Sequence, residues 1–231
     1  MIGLIGAMDV EIEQLADLLE DREDERIGLD IFMRGRLFGR EAVLAVCGPG
    51  KVNAALCAQS MIMTWRPEWI LNLGVAGSGA PAAGIGDLVI AAGAVQHDMD
   101  TSPIGDPVGY ISKVGRIVLP CDEALRRLLR KAAETVPDVR VHEGIIATGD
   151  QFINRGDLRG MIHERFEAMA VEMEGAAVAQ ACFIHGVPCG ILRSISDNAN
   201  GESDVDYPTF RDRAAAQTQQ VIRALLSEVG A

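Results

Sequence analysis

The sequence predicts an α/β fold, a single domain over residues 1–231 with a central mixed β-sheet flanked by helices. Three observations predict it. Short apolar segments alternate with amphipathic stretches of helical length, the pattern of βαβ units. The chain has 231 residues, 48% of them hydrophobic, enough for one large core. No linker, low-complexity tract or internal repeat divides it.

The elements follow in order. Residues 1–6 are an apolar strand, and 9–20 have helical periodicity with Leu15, Leu18 and Leu19 on one face. Residues 27–37 and 42–46 read as two strands with a turn near 38–40. GPGK at 48–51 turns the chain into a helix that runs to about Thr64. Residues 69–73 form a buried strand ending in the glycine turn GVAGSG, and 88–95 form another. Residues 122–135 are an amphipathic helix with Leu125, Leu128, Leu129 and Ala132 on one side. Residues 141–147 are a strand that ends in TGDQF. A helix over 158–166, a strand over 168–171 and an Ala-rich helix over 173–185 come next. A strand over 187–196 and a closing helix from 208 to about 229 complete the chain.

Charge narrows the function classes. There are 21 basic and 33 acidic residues, a net charge of −12. A surface so acidic cannot displace counterions from phosphates, so sequence-independent nucleic-acid binding is excluded. Docking on an anionic membrane is excluded for the same reason. No apolar run reaches the roughly 20 residues of a membrane span. The stretch MIGLIGAMDVEIEQ has no basic start, so no signal peptide is expected. Cys47, Cys57, Cys121, Cys182 and Cys189 are odd in number, and none forms a CxxC. They read as buried small hydrophobes in a reducing cytoplasm. The four histidines lack metal-ligand spacing, so no metal is expected.

Ligands of open α/β sheets bind beyond the carboxyl ends of strands. Four such ends carry polar or glycine-rich sequence: 6–11, 74–79, 148–154 and 194–200. GLIGAM is not a dinucleotide fingerprint, and GPGKV lacks the spacing and hydroxyl of a P-loop. Three acids stand where surface acids should not. As a helical residue Glu11 shares a face with Leu15 and Leu18, and Glu174 shares one with Ala177, Val178 and Ala181. Asp197 follows the strand GILRSIS, and an extended strand would point Arg193 and Asp197 to one face. Helix-dipole acids are the plain alternative for the two glutamates. Clustered carboxylates in an apolar pocket instead push one another's pKa apart, so that one serves as acid and another as base.

IGAMDVEIEQL, GPGKVNAA, NLGVAGS, TGDQFIN, VEMEGAAVA and RSISDNAN run in order from residue 2 to residue 200. Together they resemble the 5′-methylthioadenosine/S-adenosylhomocysteine nucleosidase branch of the purine nucleoside phosphorylase-like family. The resemblance implies a homodimer, no cofactor, and hydrolysis of the bond between adenine and a 5′-thio-substituted ribose. It implies that Asp197 protonates adenine N7 and that Ser196 holds Asp197. Glu11 would deprotonate the attacking water, and Glu174 would bind the ribose hydroxyls. Arg193 would position the acids. Phe152 would stack on adenine, and the backbone of Ile153 would read its Watson–Crick edge. Ala76, Gly77, Met8, Glu172, Met173 and Tyr207 would line the ribose and 5′ side. Tyr207 stands where relatives often carry phenylalanine, which implies a more polar 5′ pocket.

Phosphorylases of the same family supply arginines around phosphate. Here those positions fall in the acidic stretch Asp9-Val10-Glu11 and at Asn72. A phosphate dianion beside Glu11 would be repelled, which favours water. A non-catalytic nucleoside sensor would be expected to lose Glu11, Glu174 or Asp197, and all are present. HDMD at 97–100 reads as a polar loop near the dimer interface rather than a metal site. The segment 101–111 departs from the family pattern and is a candidate for forming the 5′ pocket, its own or a partner's.

Overall fold

The computed structural model describes residues 1–197 and 207–229, and within the last helix the side chains of 213–228. The elements are β1 (Ile2–Gly6), α1 (Asp9–Ala16), β2 (Glu20–Ile27), β3 (Asp30–Leu37), β4 (Arg40–Val46) and α2 (Lys51–Trp65). Then come β5 (Ile70–Ser78), β6 (Leu88–Gln96), β7 (Leu119–Pro120), α3 (Glu123–Ala133) and β8 (Val141–Thr148). The chain continues with α4 (Gly156–Phe166), β9 (Ala168–Glu172), α5 (Gly175–His185), β10 (Cys189–Asp197) and α6 (Tyr207–Val229). The strands make one mixed sheet in the order β10-β6-β8-β9-β5-β1-β4-β3-β2, with β7 on β6. The expected α/β architecture is therefore present.

The sheet is not open throughout. β10 also pairs with β5 in parallel, so β5, β10, β6, β8 and β9 close into a ring. The remaining strands extend from it as an open wing. Alternation along β1 feeds both sides of the sheet. Leu4 belongs to one buried cluster with Ile12, Leu15 and Leu225 from α1 and α6, and Ile5 to another with Cys57 and Met61 of α2 and Val178 of α5. Gly3 lies under α2, where a Cβ would stand 2.5 Å from Met61 Sδ. Leu125 and Leu129 of α3 join the α1 and α6 side.

Several expectations need correction. The helix expected over 9–20 stops at Ala16, and Glu20–Ile27 is an exposed edge strand. Its sequence EDREDERI has no apolar alternation; the strand exists because β3 offers a ladder and Glu23 faces Arg34 across it. Charges on an edge also block pairing with other chains. The strand expected over 27–37 is broken by Gly28, whose φ of +65° makes the hairpin turn. The turn near 38–40 is as expected: Phe38 and Gly39 both have positive φ, which matches strand twist in a two-residue loop. β5 does not end at Leu73 but runs through the glycines to Ser78. α5 begins at Gly175, so Met173 and Glu174 precede the helix.

Candidate active site

A cavity of about 210 Å³ opens at the carboxyl ends of β1, β8, β9 and β10 and along the second half of β5. The four strand ends singled out in the sequence meet there. They supply Ala7, Met8 and Glu11; Val75, Ala76 and Gly77; Gln151, Phe152 and Ile153; and Ser196 and Asp197. Glu172, Met173 and Glu174 enter from the β9–α5 turn, and Pro49 from the GPGK loop. The site thus sits at the rim of the closed ring, not in the crevice of an open sheet.

Glu11 is held by backbone. One carboxylate oxygen accepts from the N–H groups of Ala7 (2.7 Å) and Met8 (3.0 Å), and the other from Val75 N–H (3.0 Å). Gly74 leaves room for it: a Cβ there would stand 2.5 Å from Glu11 Oε1. Burial raises the Glu11 pKa, against the opposing pull of Arg193 and of these three N–H donors.

Glu174 precedes α5 as its N-cap residue, with φ −131°. Glu174 therefore stands just outside the helix and not on the apolar helical face that the sequence predicts for it, and it is buried. Its side chain accepts from Gly50 N–H at 2.9 Å, at the start of α2. Gly50 itself has φ +101°, a conformation that only glycine adopts easily. Burial, and next the neighbouring Glu172, push the Glu174 pKa up to about 7.

Glu172 is the hub of this acid cluster. It accepts from Thr148 Oγ1, from Glu174 N–H (3.0 Å) and Gly175 N–H (2.7 Å), and from Arg193. Arg193 also donates to Asn72 Oδ1 and to Leu192 O (3.1 Å). It does not line the cavity; it lies beneath, 1% exposed. Burial works against its charge, but Glu172, Glu174 and Glu11 outweigh it.

Asp197 belongs to the other side. The register of β10 on β5 shifts between Ile195 and Asp197, so the alternation expected to place Arg193 and Asp197 on one face ends at a bulge. Asp197 accepts from Ser196 Oγ at 2.8 Å and pairs with Arg159 of α4. Ser196 stays near Ala76 O. Arg159, 2% exposed, also donates to Ile153 O at 2.8 Å. Sequence reasoning missed Arg159. The signal was present, because Arg159 shares a helical face with Ile162 and Phe166, which pack on a buried cluster.

Phe152 is 76% exposed at the mouth, whereas Ile153 is buried. The Tyr207 side chain lies outside the described residues. The segment 101–111 holds a single turn of 3-10 helix at Ser102–Ile104 and lines no part of the cavity within its own chain. In the HDMD loop, Asp98 accepts from Lys51 Nζ (2.7 Å) and from Asp150 N–H (2.9 Å). Among the described residues the lining thus carries four acids, Glu11, Glu172, Glu174 and Asp197, against one base, Arg159.

The profile of the Phosphorylase superfamily matches residues 1–227. The chain belongs to this superfamily. Within the superfamily it is similar to nucleosidases. A Bacillus cereus 5′-methylthioadenosine/S-adenosylhomocysteine nucleosidase is 37% identical over 229 residues, covering 99% of each chain. A Helicobacter pylori aminodeoxyfutalosine nucleosidase is 36% identical over 229 residues, covering 99% of this chain and 98% of the relative. The solved nucleosidase from Neisseria meningitidis, in complex with methylthio-immucillin-A, superposes with a TM-score of 0.92 at 32% identity. It covers 98% of both chains.

Proposed function

We propose that this protein hydrolyses the N-glycosidic bond of 5′-thio-substituted adenine nucleosides, releasing adenine and the thioribose. The observation that carries the reading is the charge of the cavity, four acids against one base among the described residues. Cleavage builds positive charge on the ribose, which nearby carboxylates stabilise. The same acids repel a phosphate dianion, and Asn72 is spent on Ile5 O and Arg193, which supports water as nucleophile.

In this reading the C1′–N9 bond breaks with its electron pair on the purine. Asp197 gives a proton to N7, and water bonds to C1′ while Glu11 takes its proton. Glu174 binds the ribose hydroxyls, Met8 and Met173 pack on the sugar, and Ala76 and Gly77 line it. Phe152 covers the adenine, and the Ile153 backbone reads its edge. Glu172 and Arg193 hold the acids, and Ser196 holds Asp197. The test is adenine release from methylthioadenosine in phosphate-free buffer, with free thioribose as product. Dependence on phosphate, with ribose-1-phosphate formed, would overturn it. A kcat/KM panel of methylthioadenosine, adenosylhomocysteine, 5′-deoxyadenosine and a futalosine-type nucleoside then ranks the 5′ group.

A second copy of the chain completes the reading. Val52, Leu56 and Met63 form an exposed apolar stripe on α2, and Phe183 and Ile184 are exposed on α5 beside it. The expected particle in light scattering is twice 24.7 kDa. No helix among the described residues is long and apolar enough to cross a membrane. The five cysteines are free and buried, which fits a reducing cytoplasm.

A further inference from the structure

Arg159 is a cation buried where an apolar residue would be cheaper. Taking a guanidinium out of water costs several kcal/mol unless its partners repay it. Two of its partners, Asp197 and Ile153, lie on the side of the cavity assigned to the purine. One terminal nitrogen pairs with Asp197 Oδ2, and Nε donates to Ile153 O at 2.8 Å. The guanidinium plane lies on the backbone of β5 at Gly77, where a Cβ would come within 2.7 Å of Cζ. A single rigid group therefore joins the end of β10, the loop after β8 and the second half of β5. A guanidinium suits this task because its donors form a fixed planar fork, whereas an ammonium is a point charge on a flexible stem.

We propose that Arg159 is a positioning residue for the acid step: it aims the Asp197 carboxyl and ties that aim to the backbone that reads the adenine. The inference rests on the assignment of Asp197 as the proton donor. Arg159 borders the cavity, and in this proposal its effect on the reaction passes through Asp197 and Ile153. A misplacement of about 1 Å in such a constellation can cost about 10²-fold in rate.

The experiment compares two leaving groups. Methylthioadenosine needs its base protonated as it leaves. The p-nitrophenyl riboside of 5-methylthioribose expels a stable phenolate and needs no acid. Arg159→Gln should lower kcat on methylthioadenosine by about tenfold to a hundredfold with a much smaller change in KM. The loss on the p-nitrophenyl substrate should be at most about a tenth as large, since the acid step is bypassed. Arg159→Lys should recover only part of the loss, because it keeps the charge and loses the fork. It also carries the test if the glutamine variant fails to fold. Equal losses on both substrates, or no loss on methylthioadenosine, would overturn the proposal. Asp197→Asn on the same pair separates the two claims. If it loses activity equally on both substrates, the proton-donor assignment fails and Arg159 falls with it. If it shows the leaving-group split and the Arg159 variants do not, only the Arg159 proposal fails.

Discussion

Two regions of this molecule are rich in acids, and they use them in opposite ways. The β2–β3 hairpin carries Glu20, Asp21, Glu23, Asp24 and Glu25 in water, with Arg34–Glu23 and Arg36–Asp21 pairs across the strands. The cavity carries Glu11, Glu172 and Glu174 around the buried Arg193. Charge type is the same; solvent is not. On the hairpin, water screens each charge, and an exposed pair contributes about 0.2–1 kcal/mol. In the cavity, burial dominates, and Glu174 titrates at about 7. Position relative to water, more than the count of acids, separates a soluble surface from chemistry.

The comparison can be broken at its strongest point by Asp197→Asn. As a proton donor Asp197 is expected to supply about 10²–10⁴-fold in kcat, read by adenine release. Near-normal turnover would place Asp197 with the hairpin acids. Next is Arg193→Met, which strands Glu172 without its cation. Breaking a buried pair costs about 3–5 kcal/mol, measured by urea unfolding. A loss below about 1 kcal/mol would show that the buried pair is screened as a surface pair is.

Glu174→Gln gives a smaller effect whose sign depends on pH. The folded carboxyl titrates at about 7 and the unfolded one near its ordinary 4.5. Between those values the folded state holds a proton that the unfolded chain has released. Glu174 therefore weakens folding as pH rises through that window, and the penalty is complete above it. Glutamine removes the penalty, so the variant should gain on the order of 1 kcal/mol over the parent at about pH 8, some 2–4 °C in Tm, and little at about pH 5. A gain independent of pH would show that the charge of Glu174 is not what burial opposes. The smallest effect is Arg34→Gln on the hairpin, expected within about 0.5 kcal/mol at any salt concentration. A larger, salt-sensitive loss would mean the hairpin pairs act as a network.

The helix α3 was legible because its apolar residues recur strictly at helical spacing and Asp122 caps it, accepting from Leu125 N–H at 2.8 Å. β2 was not legible, since a fully solvated edge strand leaves no apolar signature. Leu18 and Leu19 prolonged the helical pattern past Ala16, but the chain turns at Asp17 and uses them against the same core from a loop. The glycines after Leu73 read as a turn because glycine usually marks one. Here they stay in the strand, because β10 and β9 pair with them, and they are glycine because Glu11 occupies the Cβ space at Gly74 and Arg159 occupies it at Gly77. Glu11, Glu174 and Asp197 stood out in the sequence as acids out of place. Glu172 came only with the resemblance, and Arg159 was missed.

By itself the sequence determined the α/β class, the order of most elements and the chain segments that meet at the cavity. Periodicity and turn residues are local properties, and the strand ends follow from them. Only the tertiary structure decided which charges face each other. The pairing of β10 with β5 closes the ring and brings β9 against β5, which sets Glu172 over Arg193. The bulge at the end of β10 hands Asp197 to Arg159 instead. Such pairings join residues as far as 38 positions apart for Asp197 and 124 for Glu174 and Gly50. Their energies depend on how much water is excluded, and no local pattern in a chain records that.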